Sequence, residues 1–428
     1  MANLQFKCPC CGGALQFDDK SQMTICPYCD THFSPNDLKA YTDELASEDK
    51  EDTSWDESMV QEYTNEDKKG IKIYTCESCG GQIIVDETTS STSCPYCGNN
   101  VLVSHELAGD LKPNYVIPFK NDRDVVMNNL MKFFKKKPLL PGSFKKENVV
   151  EEVKPLYVPY WIFDADVDGK VHFEGETVHR WSDANYDYKE TKHYSIIRGG
   201  QIAFDHVPVD GSKKMEDQLM ESIEPFDFKD AKEFNSAYLA GYAADRYDVP
   251  KEVTFERATE RFRDGTINAF RSDVTDYDKV KYVSSNLQFS NTNAAYALYP
   301  VWILNTRWKN KTFRFAVNGQ TGKIAGNLPV SVGKSFLYWF IFFAIFTGLI
   351  FGVVAIAAWD YWLIGLAIGA VFGIILGTAI VLGMRRKNKN VKFVSGAANY
   401  VRENSFLINY RKSLFLYSEL SKTAKPKK

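Results

Sequence analysis

Four CxxC pairs in two matching sets, a long stretch of mixed helix and strand signals, and two apolar runs back to back predict a multidomain fold. Its parts are two small zinc ribbons, a soluble α+β domain and a two-helix transmembrane hairpin. The boundaries read as residues 1–34 for the first ribbon, 35–70 for an acidic flexible linker and 71–109 for the second ribbon. The α+β domain covers 110–330, the hairpin 336–384 and a basic tail 385–428.

The cysteines come first. All nine fall between Cys8 and Cys97, and such crowding reads as metal ligation rather than a disulfide framework. Cys8-Pro-Cys-Cys11-Gly-Gly is followed by Cys26-Pro-Tyr-Cys29, and Cys76-Glu-Ser-Cys79-Gly-Gly by Cys94-Pro-Tyr-Cys97. A CxxC turn aims two thiolates at one tetrahedral ion, and two such turns complete a closed four-sulfur zinc site with no open position for water. The metal ligands are therefore Cys8, Cys11, Cys26 and Cys29 for one zinc, and Cys76, Cys79, Cys94 and Cys97 for a second. Redox CxxC motifs would need a thioredoxin-like βαβ context. Cys10 has no counterpart, since Ser78 replaces it, and reads as a spare thiol or a substitute ligand. So short a segment cannot build an adequate apolar core, so each ribbon should fold only around its ion.

Charge limits what the ribbons can bind. The formal net charge of −2 hides an asymmetry: residues 1–110 hold 7 Lys and Arg against 20 Asp and Glu, or −13. The remaining 45 against 34 leave +11. Phosphate backbones are bound mainly through Lys and Arg. The first ribbon offers Lys7 and Lys20 against Asp18, Asp19 and Asp30; the second offers Lys72 against Glu77, Asp86 and Glu87. Protein docking, or plain structural spacing, fits this surface better than nucleic acid. The linker is acidic and polar, which resists collapse. It reads as a tether with helical character over Leu38–Leu45, and Trp55 and Met59 as an incidental apolar pair or a partner anchor.

In the α+β domain, Tyr115–Phe119 reads as a strand and Asp124–Lys137 as an amphipathic helix with Val125, Leu130, Phe133 and Phe134 inward. Leu156–Val167 and Val171–Phe173 suggest a hairpin turned at Asp168-Gly169. Tyr194–Val209 suggests two strands about Gly199-Gly200. Glu252–Ser272 reads as a helix, then Val280–Leu287 and Tyr296–Lys309 as strands, and a hairpin turns at Asn318-Gly319. Pro155–Ile162 resembles Ala297–Ile303, which suggests two related halves with Tyr157, Trp161, Tyr299 and Trp302 anchoring their cores.

Phe336–Trp359 and Tyr361–Met384 contain no Asp, Glu, Lys, Arg or His, and Asp360 separates them. Each run meets the ~20 residues needed to cross a hydrocarbon core. Gly365, Gly369, Gly373 and Gly377 form a stripe on the second helix, as Ala344, Gly348 and Gly352 do on the first. Such stripes let backbones approach closely, within the hairpin or in an oligomer. Arg385, Arg386, Lys387, Lys389 and Lys392 after the hairpin, with Lys323 and Lys334 before it, place both termini in the cytoplasm of a two-span cell-membrane protein. The N-terminus has no charged-then-apolar leader, so no cleaved signal peptide is expected. In the tail, Phe406–Tyr410 and Leu414–Tyr417 read as short strands, and the basic ending as solvated or headgroup-bound.

Three motif-like stretches fail. Asp164-Ala-Asp-Val-Asp168-Gly169 starts like an EF-hand loop, but its twelfth position is Gly175. Gly333-Lys334-Ser335 lacks the phosphate-loop glycine, because Leu328 stands there. His172, His179, His193 and His206 lie near Asp164, Asp166 and Asp205 without a hydrolytic motif, so no catalytic residue is assigned.

Together the cysteine knuckles, the Leu156-Tyr-Val-Pro-Tyr-Trp161 segment and the late hairpin resemble the TFIIB-type zinc-ribbon membrane proteins of Gram-positive bacteria. Some of these carry a primosomal protein N′ (replication-restart helicase) label. The resemblance implies a non-enzymatic adaptor in membrane-stress systems, with phage-shock-protein-A-like and flotillin-like (SPFH) partners. The competing expectation is a nucleic-acid-binding or replication-restart protein, against which the charge count argues.

Overall fold

The computed structural model describes residues 7–36, 38–39, 51–64, 67, 71–86, 94–99, 103–105, 111–147, 153–309, 311–357, 359–391 and 396–425. Four long strands dominate it: β1 (Val153–Ser182), β2 (Tyr186–Asp210), β3 (Lys279–Trp308) and β4 (Leu407–Ala424). They stand in the order β3-β1-β2-β4, each pair antiparallel. The helix α1 (Lys251–Arg271) lays Ala258, Phe262 and Phe270 against this sheet, where they meet Trp161, Phe163 and Phe204. That spacing is one apolar stripe of a 3.6-residue repeat.

Several strand boundaries differ from the sequence reading. Asp168-Gly169 is not a turn; it lies inside β1, and Gly199-Gly200 lies inside β2. Gly169 pairs with Gly200 across the two strands. A Cβ at Gly169 would stand 2.1 Å from the Asn286 carbonyl oxygen, and one at Gly200 1.9 Å from that of Leu407. These glycines serve close backbone approach on both flanks, a use that looks like a turn in the sequence alone. The chain instead reverses after Ser182, where the Asp183 carboxylate accepts the amides of Asn185 (2.8 Å) and Tyr186 (2.7 Å). The two strands read at 280–287 and 296–309 are likewise one strand, β3.

A row of irregularities bends the sheet midway. Register shifts occur in β1 at Asp164/Asp166 against β3 and at Phe163/Ala165 against β2. His206 (φ 59) and Asn291 (φ 50) take left-handed backbone in the neighbouring strands. Bulges of this kind re-aim a strand. Two of the three carboxylates of the calcium-like run are engaged here: Asp164 accepts the His206 amide at 2.6 Å and Asp166 pairs with Arg402 at 2.9 Å.

The internal match resolves as a pairing. Pro155 lies opposite Trp302, Val158 opposite Tyr299 and Trp161 opposite Tyr296, so the two similar segments are antiparallel neighbours in one sheet. Tyr157, Trp161, Tyr299 and Trp302 are all buried, as expected of anchors. The first helix of the domain spans Arg123–Lys135 and buries Val126, Leu130 and Phe134. Val125 is exposed, because it lies about 100° around the helix from Val126 and so falls outside the stripe that Val126, Leu130 and Phe134 form.

The acidic 35–70 segment is not a free tether where it is described. Glu51–Asp52 pairs with β3, Gln61–Glu62 pairs with Leu111–Lys112, and Trp55 meets Phe163 edge-on at 4.7 Å. Burying one indole outweighs the solvation of the flanking acids. Most of the helix expected over Leu38–Leu45 lies outside the described residues. The C-terminal segment is not a separate tail either, since β4 is one continuous strand on the sheet.

Two apolar helices, α2 (Val332–Ala357) and α3 (Trp362–Asn388), run antiparallel beside one another. Gly365, Gly369, Gly373 and Gly377 are buried and face α2, so the expected stripe zips the pair. Gly348 and Gly352 meet nothing within 4 Å, so the second stripe does not take part. A Cβ at Gly369 would sit 2.9 Å from the Thr347 carbonyl oxygen, which cannot move aside without bending α2. Gly369→Leu is therefore expected to lower the midpoint of SDS-induced unfolding, at about 1–3 kcal/mol of overpacking cost. Gly352→Leu is expected to leave it unchanged.

Candidate metal centres

Each cluster is assembled by the same local device. The amide of the first knuckle cysteine donates to the carbonyl five residues on: Cys8 to Gly13, Cys26 to Thr31, Cys76 to Gly81 and Cys94 to Asn99, at 2.7–3.0 Å. The residue after each CxxC then turns left-handed, at Gly12, Asp30, Gly80 and Gly98. Glycine suits this position, and Asp30 is the substitution that aspartate tolerates best. The second glycine of each Gly-Gly pair has another task. A Cβ at Gly13 would strike Tyr28 at 2.6 Å, and one at Gly81 would strike Tyr96 at 2.9 Å. The tyrosine of one knuckle thus lies over the glycine of its mate.

All eight ligand cysteines expected from the sequence come together in two sets of four, with the sulfurs of each set within 4.8 Å of one another. Sγ–Sγ distances are 3.5 Å for Cys8–Cys29, 3.4 Å for Cys11–Cys26, 3.6 Å for Cys76–Cys97 and 3.7 Å for Cys79–Cys94. Sulfurs at ~2.3 Å from a central ion stand about 3.8 Å apart in a regular tetrahedron, so the donor sets fit a tetrahedral metal. Four thiols at this spacing oppose one another's ionisation. A hydrogen bond with the Thr31 hydroxyl holds Cys29 down at about 6, burial pushes Cys8 up to about 11, and burial drives Cys94 higher still. A bound cation removes that conflict by favouring the thiolate at all four positions.

The two centres are mounted differently, which the matching knuckles did not foretell. The second is welded into the sheet. Gln82–Asp86 joins β1 through Ala243–Asp245, and Cys76, Cys94 and Tyr96 lie in one apolar cluster with Leu156, Ile162 and Met220. Lys214 donates to the Cys79 carbonyl (2.5 Å), Lys154 to that of Cys94 (3.2 Å), and Asn305 to those of Pro95 and Tyr96. The first centre has its own three-stranded sheet, Gln16–Asp18, Met23–Ile25 and His32–Phe33. Its Cys11 and Cys29 are exposed. Cys10 is not in the ligand set, and its thiol donates to the Leu416 carbonyl at 3.2 Å.

Among the described residues, the histidines expected beside Asp164, Asp166 and Asp205 do not converge on a third site. His172 bonds Ser195 (2.8 Å), His206 sits beside Asp164 (3.1 Å), and His193 stacks on Tyr417. Each is absorbed by neighbours in its own part of the sheet.

No family model and no solved structure matches this sequence. Over 310 residues it is 30% identical to a protein of Bacillus subtilis (strain 168) described as uncharacterized protein YdjG. The match takes in 61% of this chain and 91% of that relative. With nine-tenths of the relative aligned at that identity, the chain belongs to the same family as YdjG.

Proposed function

We propose that this protein is a membrane-anchored zinc-ribbon adaptor, with zinc in both four-cysteine centres, that recruits protein partners to the inner face of the cell membrane. The observation that carries the reading is the apolar helix pair. Its 26 and 27 residues reach about 40 Å at 1.5 Å per residue, beyond the ~30 Å of a hydrocarbon core. Leu349, Val353, Ile356, Leu363 and Ile375 stand outward with no protein cover among the described residues. An apolar collar of that size calls for lipid.

Asn388 fastens the pair to the domain, donating to the Pro329 carbonyl while its own carbonyl accepts from Leu328. Entry and exit therefore share one side, and the Lys/Arg flanks make that side cytoplasmic. There thiolates stay reduced and metal-bound. The first four-cysteine module exposes Phe17 (53%) and Tyr28 (75%) beside Asp18, Asp19 and Asp30, a surface suited to a protein rather than to phosphate. By the resemblance, phage-shock-protein-A-like or SPFH membrane-stress proteins are the partner class to test. Four-thiolate tetrahedral sites favour zinc, and a closed set of protein ligands gives it a structural role.

The membrane part is tested in cells. The protein should remain in the pellet after alkaline carbonate extraction, and protease added outside should leave the cysteine-bearing end intact. Crosslinking in native membranes should attach proteins to the first module, and deleting 332–388 should free the partners from the membrane fraction. Digestion of that end from outside, or release by carbonate, would refute the reading.

A further inference from the structure

We propose that the first four-cysteine module is a metal-held cover seated on the edge strand β4, and that loss of its ion uncovers the middle of that strand. The inference rests on the reading that this centre binds zinc. Among the described strands β4 pairs with β2 alone, so its other edge is the open side of the sheet. Open edges invite further strand pairing and are commonly shielded. Here the shield is the module. Leu416 is buried in one apolar cluster with Cys8, Cys26, Phe33 and Leu38, flanked by Leu414 and Tyr417.

The seat is cut for this contact. Along β2 and β4 the register passes from His193–Tyr417 directly to Tyr194–Phe415, which leaves Leu416 as the extra residue of a bulge. A bulged residue is released from the ladder, and the Leu416 carbonyl accepts the Cys10 thiol instead. That assigns Cys10 a task its counterpart lacks: Ser78, in the second centre, accepts from the Asn99 side chain within its own module.

Two of the residues that press on Leu416, Cys8 and Cys26, are themselves ligands of the centre. The apolar face of the module is thus part of the metal site. A knuckle pair this small has no core without its ion, so losing the metal dissolves the surface that holds β4. The second centre is different in kind. Its strands continue the main sheet, and its carbonyls are held by Lys154, Lys214 and Asn305. The first can detach while the second stays.

The test uses the full chain in detergent micelles, counting zinc by elemental analysis and following hydrogen exchange over 11–36, 71–86 and 407–424. Wild type should carry two zinc ions per chain. Cys26→Ser should carry one, with exchange around Leu414–Tyr417 accelerated at least tenfold and 71–86 unchanged. Leu416→Asp, which spoils the seat and touches no ligand, should keep two ions while exchange around 414–417 accelerates to a similar degree. Cys26→Ser with one ion and unaltered exchange at 414–417 would overturn the cover alone. A drop to one ion in Leu416→Asp would also overturn it, by showing that the module needs the strand to hold metal. Wild type with no zinc would sink the zinc reading, and the cover with it.

Discussion

Cys94→Ser is expected to unfold the sheet domain, whereas Cys29→Ser leaves it folded, although each removes one ligand from a four-cysteine centre. Cys94 is 1% exposed and shares its cluster with Ile83, Tyr96, Leu156, Val158 and Leu219. With zinc in that centre as proposed, losing it frees two knuckles inside the core and strands the ammonium groups of Lys154 and Lys214, which donate to knuckle carbonyls. Structural zinc contributes about 10–16 kcal/mol in isolated finger peptides, and a whole domain is stable by only about 5–15 kcal/mol. Even a third of the metal's contribution approaches that margin. Cys29 is exposed, and its module touches the sheet across one small cluster. Thermal melts followed by near-ultraviolet circular dichroism should show Cys94→Ser without a cooperative transition or with a midpoint lowered by more than ten degrees. Cys29→Ser should melt within a few degrees of wild type. Equal melts for the two variants would show that the second centre does not brace the domain.

That contrast marks what could be read in advance. Ligand sets are legible because CxxC spacing and its repetition are local chemistry, complete within thirty residues; the left-handed residue after each pair and the overlying tyrosine emerge only in the structure. The apolar helices and the Gly365–Gly377 stripe were legible for the same reason. The mounting of the centres was not, because it depends on Lys214, Asn305 and Leu416, which lie more than a hundred residues away in sequence. Asp168-Gly169 and Gly199-Gly200 misled for a related reason. A dipeptide that turns in isolation can equally sit where two strands press together, and only the neighbouring strand decides. The acidic stretch around Trp55 was read from its average composition, while a single indole governs its place. In the tail, Phe406–Tyr410 and Leu414–Tyr417 read as two short strands, and β2 supplies the template that makes them one.

Glu224→Ala is expected to cost about 3–5 kcal/mol, the usual penalty for leaving one member of a buried ion pair without its partner. Arg261 on α1 holds Glu224 with two parallel bonds of 2.9 and 2.7 Å, and both side chains are under 5% exposed. The guanidinium also donates to the Pro208 carbonyl of β2, and Tyr400, just ahead of β4, donates its hydroxyl to Glu224 at 3.0 Å. Burial is the strongest single influence and would lower the Arg261 pKa, but the charge and hydrogen bonds of Glu224, helped by Tyr400 and Glu221, together hold Arg261 above its ordinary value. The pair therefore joins α1, β2 and the segment that follows the apolar helices. Removing the carboxylate leaves a cation in the core and releases Tyr400 at once. Removing both charges does not: Glu224→Leu with Arg261→Met is expected to recover most of the loss, since well-packed apolar pairs often match buried ion pairs. A double-mutant cycle by urea unfolding separates the two cases. If the double variant is as unstable as Glu224→Ala, then the Pro208 and Tyr400 bonds, rather than the uncompensated charge, fasten the C-terminal segment to the sheet.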